Sequence, residues 1–384
     1  MGRALQNHSV KYLSAATLLV FIWFVWSLGL RNEAQERLAG IVPSVGTDAS
    51  HKEPPKASPE QPSHEASNEA LKTKPSGAPH PDILDEAAAK QYCNNYRLHP
   101  FPRDRVASRK IYDLLLINTE LEILDVRMGQ MAPGVDYFVI LESDTTFTDK
   151  PKPLHVEENW ARFQQHHSQM IRRTMDLTTG DFKKTWERES ASRNAMYSQV
   201  IPFLTGQEEA HTDDVLLVSD VDEMFKPETL KVFRNCIIPD KVTTQSDLFY
   251  YSFQWVNEYD WMHPQATIYK GKDTVLPQDL RTHGNEHMIL HDAAWHCSYC
   301  FPTVAEIVKK ITSFSHTEMD RPEFKDPVKI VERVRNGRDM FERSNCTRVE
   351  HNKDVPEFVM NNREKYGYML DRDPPNANFI DYTP

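Results

Sequence analysis

The 384-residue chain has little cysteine, no excess of positive charge and no internal repeat, and each lack removes a class of protein. Five cysteines in so long a chain rule out a fold built on a disulfide framework, and the odd number leaves at least one thiol unpaired within a monomer. With 45 Lys and Arg against 56 Asp and Glu the net charge is −11, whereas a nucleic-acid binder would carry a basic balance or a basic stripe. Without a repeating period, solenoids and propellers are not expected. Two further absences are local: residues 13–30 contain no charge, and residues 31–91 contain no aromatic residue and no cysteine.

The uncharged run, LSAATLLVFIWFVWSLGL, is bounded by Lys11 and Arg31. At about 1.5 Å per residue it extends about 27 Å, which suits the thinner bilayers of the early secretory pathway. A cleaved signal peptide is the competing reading, but Trp23, Trp26 and the lack of a small-residue cleavage site after Leu30 favour an uncleaved anchor. Arg3 and Lys11 precede the run, while Arg31 and Arg37 are interleaved with Glu33 and Glu36. This asymmetry predicts a cytoplasmic tail at 1–12, a transmembrane anchor at 13–30 and a lumenal remainder. Residues 31–91, with eight prolines, cannot bury enough surface to offset their ordering entropy and read as a disordered stem. From Tyr92 the composition turns rich in Trp, Tyr, Phe and Leu, so 92–384 is expected to be the folded domain.

That domain opens as an α/β alternation. The apolar run at 111–118 reads as a buried strand. Thr119 and Glu122 stand in capping-box spacing before a helix carrying Leu121, Leu124, Met128 and Met131 on one face, and 135–143 is the next strand. Together they predict a βαβ unit in a mostly parallel sheet. A helix over 186–204 follows, then a buried strand at 213–224 that runs out into carboxylates, then a helix with Pro227 near its first position.

The sharpest chemical signal is Asp220-Val221-Asp222-Glu223. In an extended segment residues i and i+2 face the same way, so Asp220 and Asp222 present two carboxylates together. At the carboxyl end of a central parallel strand they stand where open α/β sheets bind ligands. Hard oxygen donors suit Mn2+ or Mg2+, which bridges the diphosphate of a nucleotide; an ordinary acidic turn is the competing reading. On the preceding helix Arg193 is the better diphosphate partner than Arg188, because Asn194, Met196 and Val200 turn its side toward the core.

The blocks INTELEILDVRMGQMAPGVDYFVILESDTTFTDKPKPL, RESASRNAM, LLVSDVDEMFKP and AAWHCSYCFPTVAEIVKKITSFSH together resemble glycosyltransferase family 17 over roughly residues 110–320. The resemblance implies a GT-A-like fold, a UDP-sugar donor (UDP-GlcNAc), a divalent cation and inverting transfer to a mannose-containing N-glycan by a type II Golgi membrane protein. It gives Glu142, with Ser143, a place at the nucleoside, and His316 a place beside Asp220 and Asp222 in the metal shell. An inverting transfer also needs a carboxylate to take the proton of the acceptor hydroxyl, for which Glu306 and Asp292 are the two candidates.

Three other features have plainer readings. Cys297 and Cys300, after His296, form a single CxxC, and in an oxidising lumen a structural disulfide involving Cys93, Cys236, Cys297, Cys300 or Cys346 is favoured over zinc. The seven aromatics within 249–261 fit a core strand, with Tyr259 or Trp261 left to meet a sugar ring. Asn345-Cys346-Thr347 is an N-glycosylation sequon. The rival functions are a lumenal lectin-like protein without catalysis, a family 17-like transferase with another acceptor, and a metal-dependent nucleotidyltransferase.

Overall fold

The computed structural model describes residues 82–384 apart from 178, 179, 283, 285 and 286. The expected anchor at 13–30 and nearly all of the expected stem lie outside these residues. Among the described residues no helix is long and apolar enough to cross a membrane.

The folded part starts earlier than Tyr92. Helix α1 (Glu86–Asn95) is capped by Asp85, whose side chain accepts the Ala88 N–H, and it buries Ala89 and Cys93. Upstream, Asn235 Nδ2 donates to the Asp82 carbonyl at 2.7 Å and Leu84 N–H to Asn235 Oδ1 at 3.0 Å. The end of the stem segment is thus ordered by tertiary anchors and by the Cys93–Cys236 disulfide. Its own sequence, EAAAKQ, shows neither aromatics nor apolar periodicity, which is why composition alone places the boundary six residues late.

The mixed sheet has ten strands: β1 (Ile111–Leu116), β2 (Tyr137–Glu142), β3 (Met170–Thr174), β4 (Val215–Asp220), β5 (Glu223–Phe225), β6 (Val242–Tyr250), β7 (Trp255–Asn257), β8 (Gln265–Ile268), β9 (Met288–Ser298) and β10 (Cys346–Arg348). Its main path runs β10-β7-β6-β8-β4-β1-β2-β3, and β9 pairs β5 and β6. The quartet β3-β2-β1-β4 is parallel throughout. Beyond β4 the path turns antiparallel through β8. The expected mostly parallel sheet is therefore mixed: β9 also runs parallel to β6, while β5, β7, β8 and β10 pair antiparallel with their neighbours. The chain leaves β1 toward β2 and β3 and returns on the other side of β1 with β4, so a topological switch point lies between β1 and β4.

Helix α2 (Leu121–Met131) joins β1 to β2 and buries Leu124, Met128 and Met131, with Leu121 half-buried. The expected capping box does not form. Glu120 occupies the cap position, and its carboxylate turns back to accept the Asn118 and Thr119 N–H groups at 2.9 and 2.8 Å. Helix α3 (Thr185–Ser198) lays Ala195 and Met196 on the sheet, and α4 (Pro227–Asn235) begins at Pro227 as expected. Two further helices shape the site, α5 (Pro277–Thr282) and α6 (Val304–Ser313). Cys297 pairs with Cys300, and the unpaired thiol is Cys346, its pKa pushed up to about 11 by burial.

Candidate active site

The carboxyl ends of β1, β2 and β4 open into a cavity of about 560 Å³, lined there by Ile117, Asn118, Ser143, Asp220 and Asp222. The backbone of this end is held from below by Arg127, a fully buried arginine on α2. It forks onto Asp113 at 2.7 and 2.6 Å, and its Nη1 donates to the carbonyls of Asp220, Val221 and Glu223. A buried fork of this kind fixes the turn that presents the two aspartates.

Strand β4 ends at Asp220, and Val221-Asp222 is a turn rather than more strand. Both carboxylates still line the cavity. Asp220 accepts from Arg193 Nη2 at 3.2 Å and from Arg281 Nη2 at 3.0 Å. Arg281, on α5, also reaches the fully buried Glu223 at 2.6 Å, and Trp261 Nε1 donates to the same carboxylate at 2.7 Å. Asp222 accepts from the Lys310 ammonium at 2.6 Å, with His296 Nε2 at 3.6 Å. Burial alone would raise the pKa of each aspartate, but Arg281 and Arg193 around Asp220, and Lys310 and His296 around Asp222, outweigh it and hold both well below the ordinary range. Burial, reinforced by Arg281, lowers His263 at the same wall to about 4, so it is neutral near pH 7.

The cavity therefore gathers paired charges at this end, with Arg193, Arg281 and Lys310 set against Asp220, Asp222 and Glu223. Its mouth is aromatic: Trp186 on the first turn of α3 is 47% exposed and meets the ring of His316 edge-on at 4.7 Å. Thr185 ties this turn to the loop after α6 by donating to the Ser315 carbonyl at 3.1 Å.

The structure brings some of the expected residues together and separates others. Arg193, Asp220 and Asp222 share this charged end, and His316 lines the cavity at its mouth. His316 Nδ1 faces Glu318 at 2.9 Å, and among the described residues no three His, Cys, Asp or Glu side chains assemble as a metal-ligand set. Glu142 does not line the cavity. It is the last residue of β2, and alternation turns Leu141 and Ser143 to the cavity and Glu142 to the opposite face. There it accepts the Val156 and Glu157 N–H groups at 2.7 and 3.1 Å.

Neither expected base reaches the cavity. Glu306 sits in the first turn of α6, hydrogen-bonded to the capping Thr303 at 2.5 Å, while the cavity meets the other end of that helix at Lys310 and Ser313. Asp292 lies where the register of β9 shifts, with φ of 52°, and points outward as an exposed partner of Lys226. The carboxylates that do line the cavity are Glu120, Glu189, Asp220 and Asp222. Tyr259 is exposed, whereas Trp261 lines the cavity and is held by Glu223. Asn345 is exposed just before β10.

Arg281 and Lys310 were not signalled by the sequence. Arg281 stands in a short polar segment, and Lys310 is one of two adjacent lysines on an amphipathic helix; only the fold distinguishes it from Lys309.

The model of glycosyltransferase family 17 matches residues 79–374. The chain belongs to that family. Curated relatives of this family 17 chain include the beta-1,4-mannosyl-glycoprotein 4-beta-N-acetylglucosaminyltransferases of Rattus norvegicus, 24% identical over 250 residues, and of Homo sapiens, 23% identical over 250 residues. Each alignment covers 56% of this chain and 45% of the relative, so the chain spans about half the length of the proteins it matches. Among solved structures, the inositol-1-phosphate CTP transferase from T. maritima is matched at a TM-score of 0.29 and 8% identity, over 49% of this chain and 89% of that one, too slight a likeness to bear on the fold.

Proposed function

We propose that this glycosyltransferase moves GlcNAc from UDP-GlcNAc to a mannose residue of an N-glycan with inversion, on a GT-A-like sheet, in the lumen of the secretory pathway. The observation that carries the reading is the cavity at the β1–β4 switch point, where Arg193, Arg281 and Lys310 converge on Asp220 and Asp222. A nucleoside diphosphate placed there shares Arg193, Arg281 and Lys310 with the carboxylates that hold them, and the charge that grows on the leaving group in the transition state is stabilised by donors those carboxylates keep in position. The names of the curated relatives support the donor and acceptor, and two disulfides support an oxidising compartment. Golgi membrane anchoring through residues 13–30 is part of the proposal.

A divalent cation does not fit the side chains as they are arranged. The carboxylates that suit it in kind are already paired with three cationic side chains, so no step is routed through a metal. The acceptor sugar is assigned to the mouth. A glycan attached to a protein must stay in contact with solvent, and Trp186 is the exposed aromatic face at the opening.

The test is donor consumption by the purified full-length chain, offered several UDP-sugars and a panel of N-glycans, with and without EDTA. Transfer of GlcNAc to a mannose-bearing glycan supports the reading. No consumption of any donor under either condition contradicts it and leaves the lectin-like alternative.

A further inference from the structure

The place that the D-x-D spacing reserves for a metal ion is filled from within the chain. Asp222 has only 7% of its side chain exposed, and its Oδ2 meets the Lys310 ammonium at 2.6 Å. Lys310 is itself mostly buried, its charge held over the rings of Tyr299 and Phe301 at 5.3 and 5.6 Å. Asp220, two residues away, has one oxygen engaged by Arg193 and the other by Arg281. A divalent ion needs oxygen lone pairs and unbalanced negative charge. Here the negative charge is balanced from within the chain, by Arg193 and Arg281 on the two oxygens of Asp220 and by Lys310 on Oδ2 of Asp222, cations tethered to helices α3, α5 and α6.

We propose that Lys310 is the resident cation of this site: in the nucleotide-free protein its ammonium fills the place on Asp222 that a divalent ion would take, and an incoming diphosphate meets it first. A tethered ammonium competes at a high, fixed local concentration, whereas a free ion must expel it. Expulsion leaves a mostly buried lysine without its carboxylate, which opposes metal entry further. Removing the ammonium reverses the balance, because Asp222 becomes a buried carboxylate with only His296 Nε2, at 3.6 Å, beside it. The aromatic seat under Lys310 explains why this lysine and not Lys309 serves: Lys309 is exposed on the outer face of α6. Identifying the anion as a diphosphate rests on the donor reading above; the competition between Lys310 and a metal does not.

The test is a titration of the nucleotide-free, full-length protein with Mn2+, following the EPR signal of the free ion, alongside UDP titration by calorimetry in EDTA. Wild type is expected to leave Mn2+ free up to about millimolar concentration, and Lys310→Met to bind it about tenfold or more tightly than wild type. Adding Asp222→Asn to Lys310→Met should abolish the gained binding. UDP affinity in EDTA should fall about tenfold in Lys310→Met. Wild type binding Mn2+ as tightly as Lys310→Met overturns the inference, and micromolar Mn2+ binding by wild type alone does so even if the variant fails to fold. If no form binds UDP while the Mn2+ results are as expected, the donor reading fails and the resident cation stands.

Discussion

The turn after β4 and the first turn of α6 are both acidic, and both are the kind of place where a glycosyltransferase keeps its chemistry. At the first, Asp220 and Asp222 converge with Arg193, Arg281 and Lys310 on a cavity, and the fully buried Glu223 pairs with Arg281. At the second, the Thr303 hydroxyl accepts the Glu306 N–H and donates to the Glu306 carboxylate, and Asp381 accepts the Val304 and Ala305 N–H groups at 2.8 and 3.0 Å. The difference lies in what faces each carboxylate. Cations from three helices make the first a binding surface, while the Thr303 hydroxyl on Glu306, and backbone N–H groups on Thr303 and Asp381, make the second a helix terminus. Helix α6 links the two: its start is capped, and its last turns carry Lys310 and Ser313 to the cavity.

The largest effect that would sharpen this contrast is loss of Asp222. Asp222→Ala should lower GlcNAc transfer about 10³-fold or more, measured as kcat/KM, and should destabilise the fold by about 3 kcal/mol in urea, because Lys310 is left buried without its partner. Arg281→Lys keeps the charge but not the fork that spans Asp220 and Glu223, so KM for UDP-GlcNAc should rise about tenfold. Trp186→Ala should raise KM for the glycan about tenfold and leave KM for the donor unchanged, whereas Trp186→Phe should retain most acceptor affinity. The smallest effect is at Glu306, where transfer by Glu306→Gln should match wild type. Burial raises the Glu306 pKa from 4.5 to about 7. The folded state therefore binds more protons than the unfolded chain between those values, and stability falls as pH rises through that window. Melting curves from pH 4.5 to 7 should show this loss in wild type and not in Glu306→Gln; normal slopes with lost transfer would break the contrast.

The parts of this molecule that follow local rules were readable from the chain. β1, α2 and β2 form the expected parallel unit because their apolar positions recur with the period of a buried strand or helix face, and Pro227 starts α4 because its missing N–H costs nothing there. The position of Asp220 at the end of β4, with Asp222 in the turn after it, was readable because a buried apolar run leads into them. What was hidden depended on partners distant in sequence. Arg281 is 61 residues from Asp220, and Lys310 is 88 from Asp222. Glu142 looked free at a strand end, but its outward parity gives it to the helix turn at 155–158, a choice between faces that register decides. The antiparallel insertion of β8 between β4 and β6 left no sign in the apolar pattern that marks βαβ units.

The central claim, that the cavity of paired charges at the ends of β1 and β4 is the donor site, is tested most directly by UDP titration of three folded proteins: wild type, Arg281→Lys and Glu306→Gln. The account predicts one UDP per chain in wild type, affinity reduced about tenfold in Arg281→Lys, and unchanged affinity in Glu306→Gln. Affinity lost in Glu306→Gln and kept in Arg281→Lys would place the donor at the wrong end of helix α6 and contradict it.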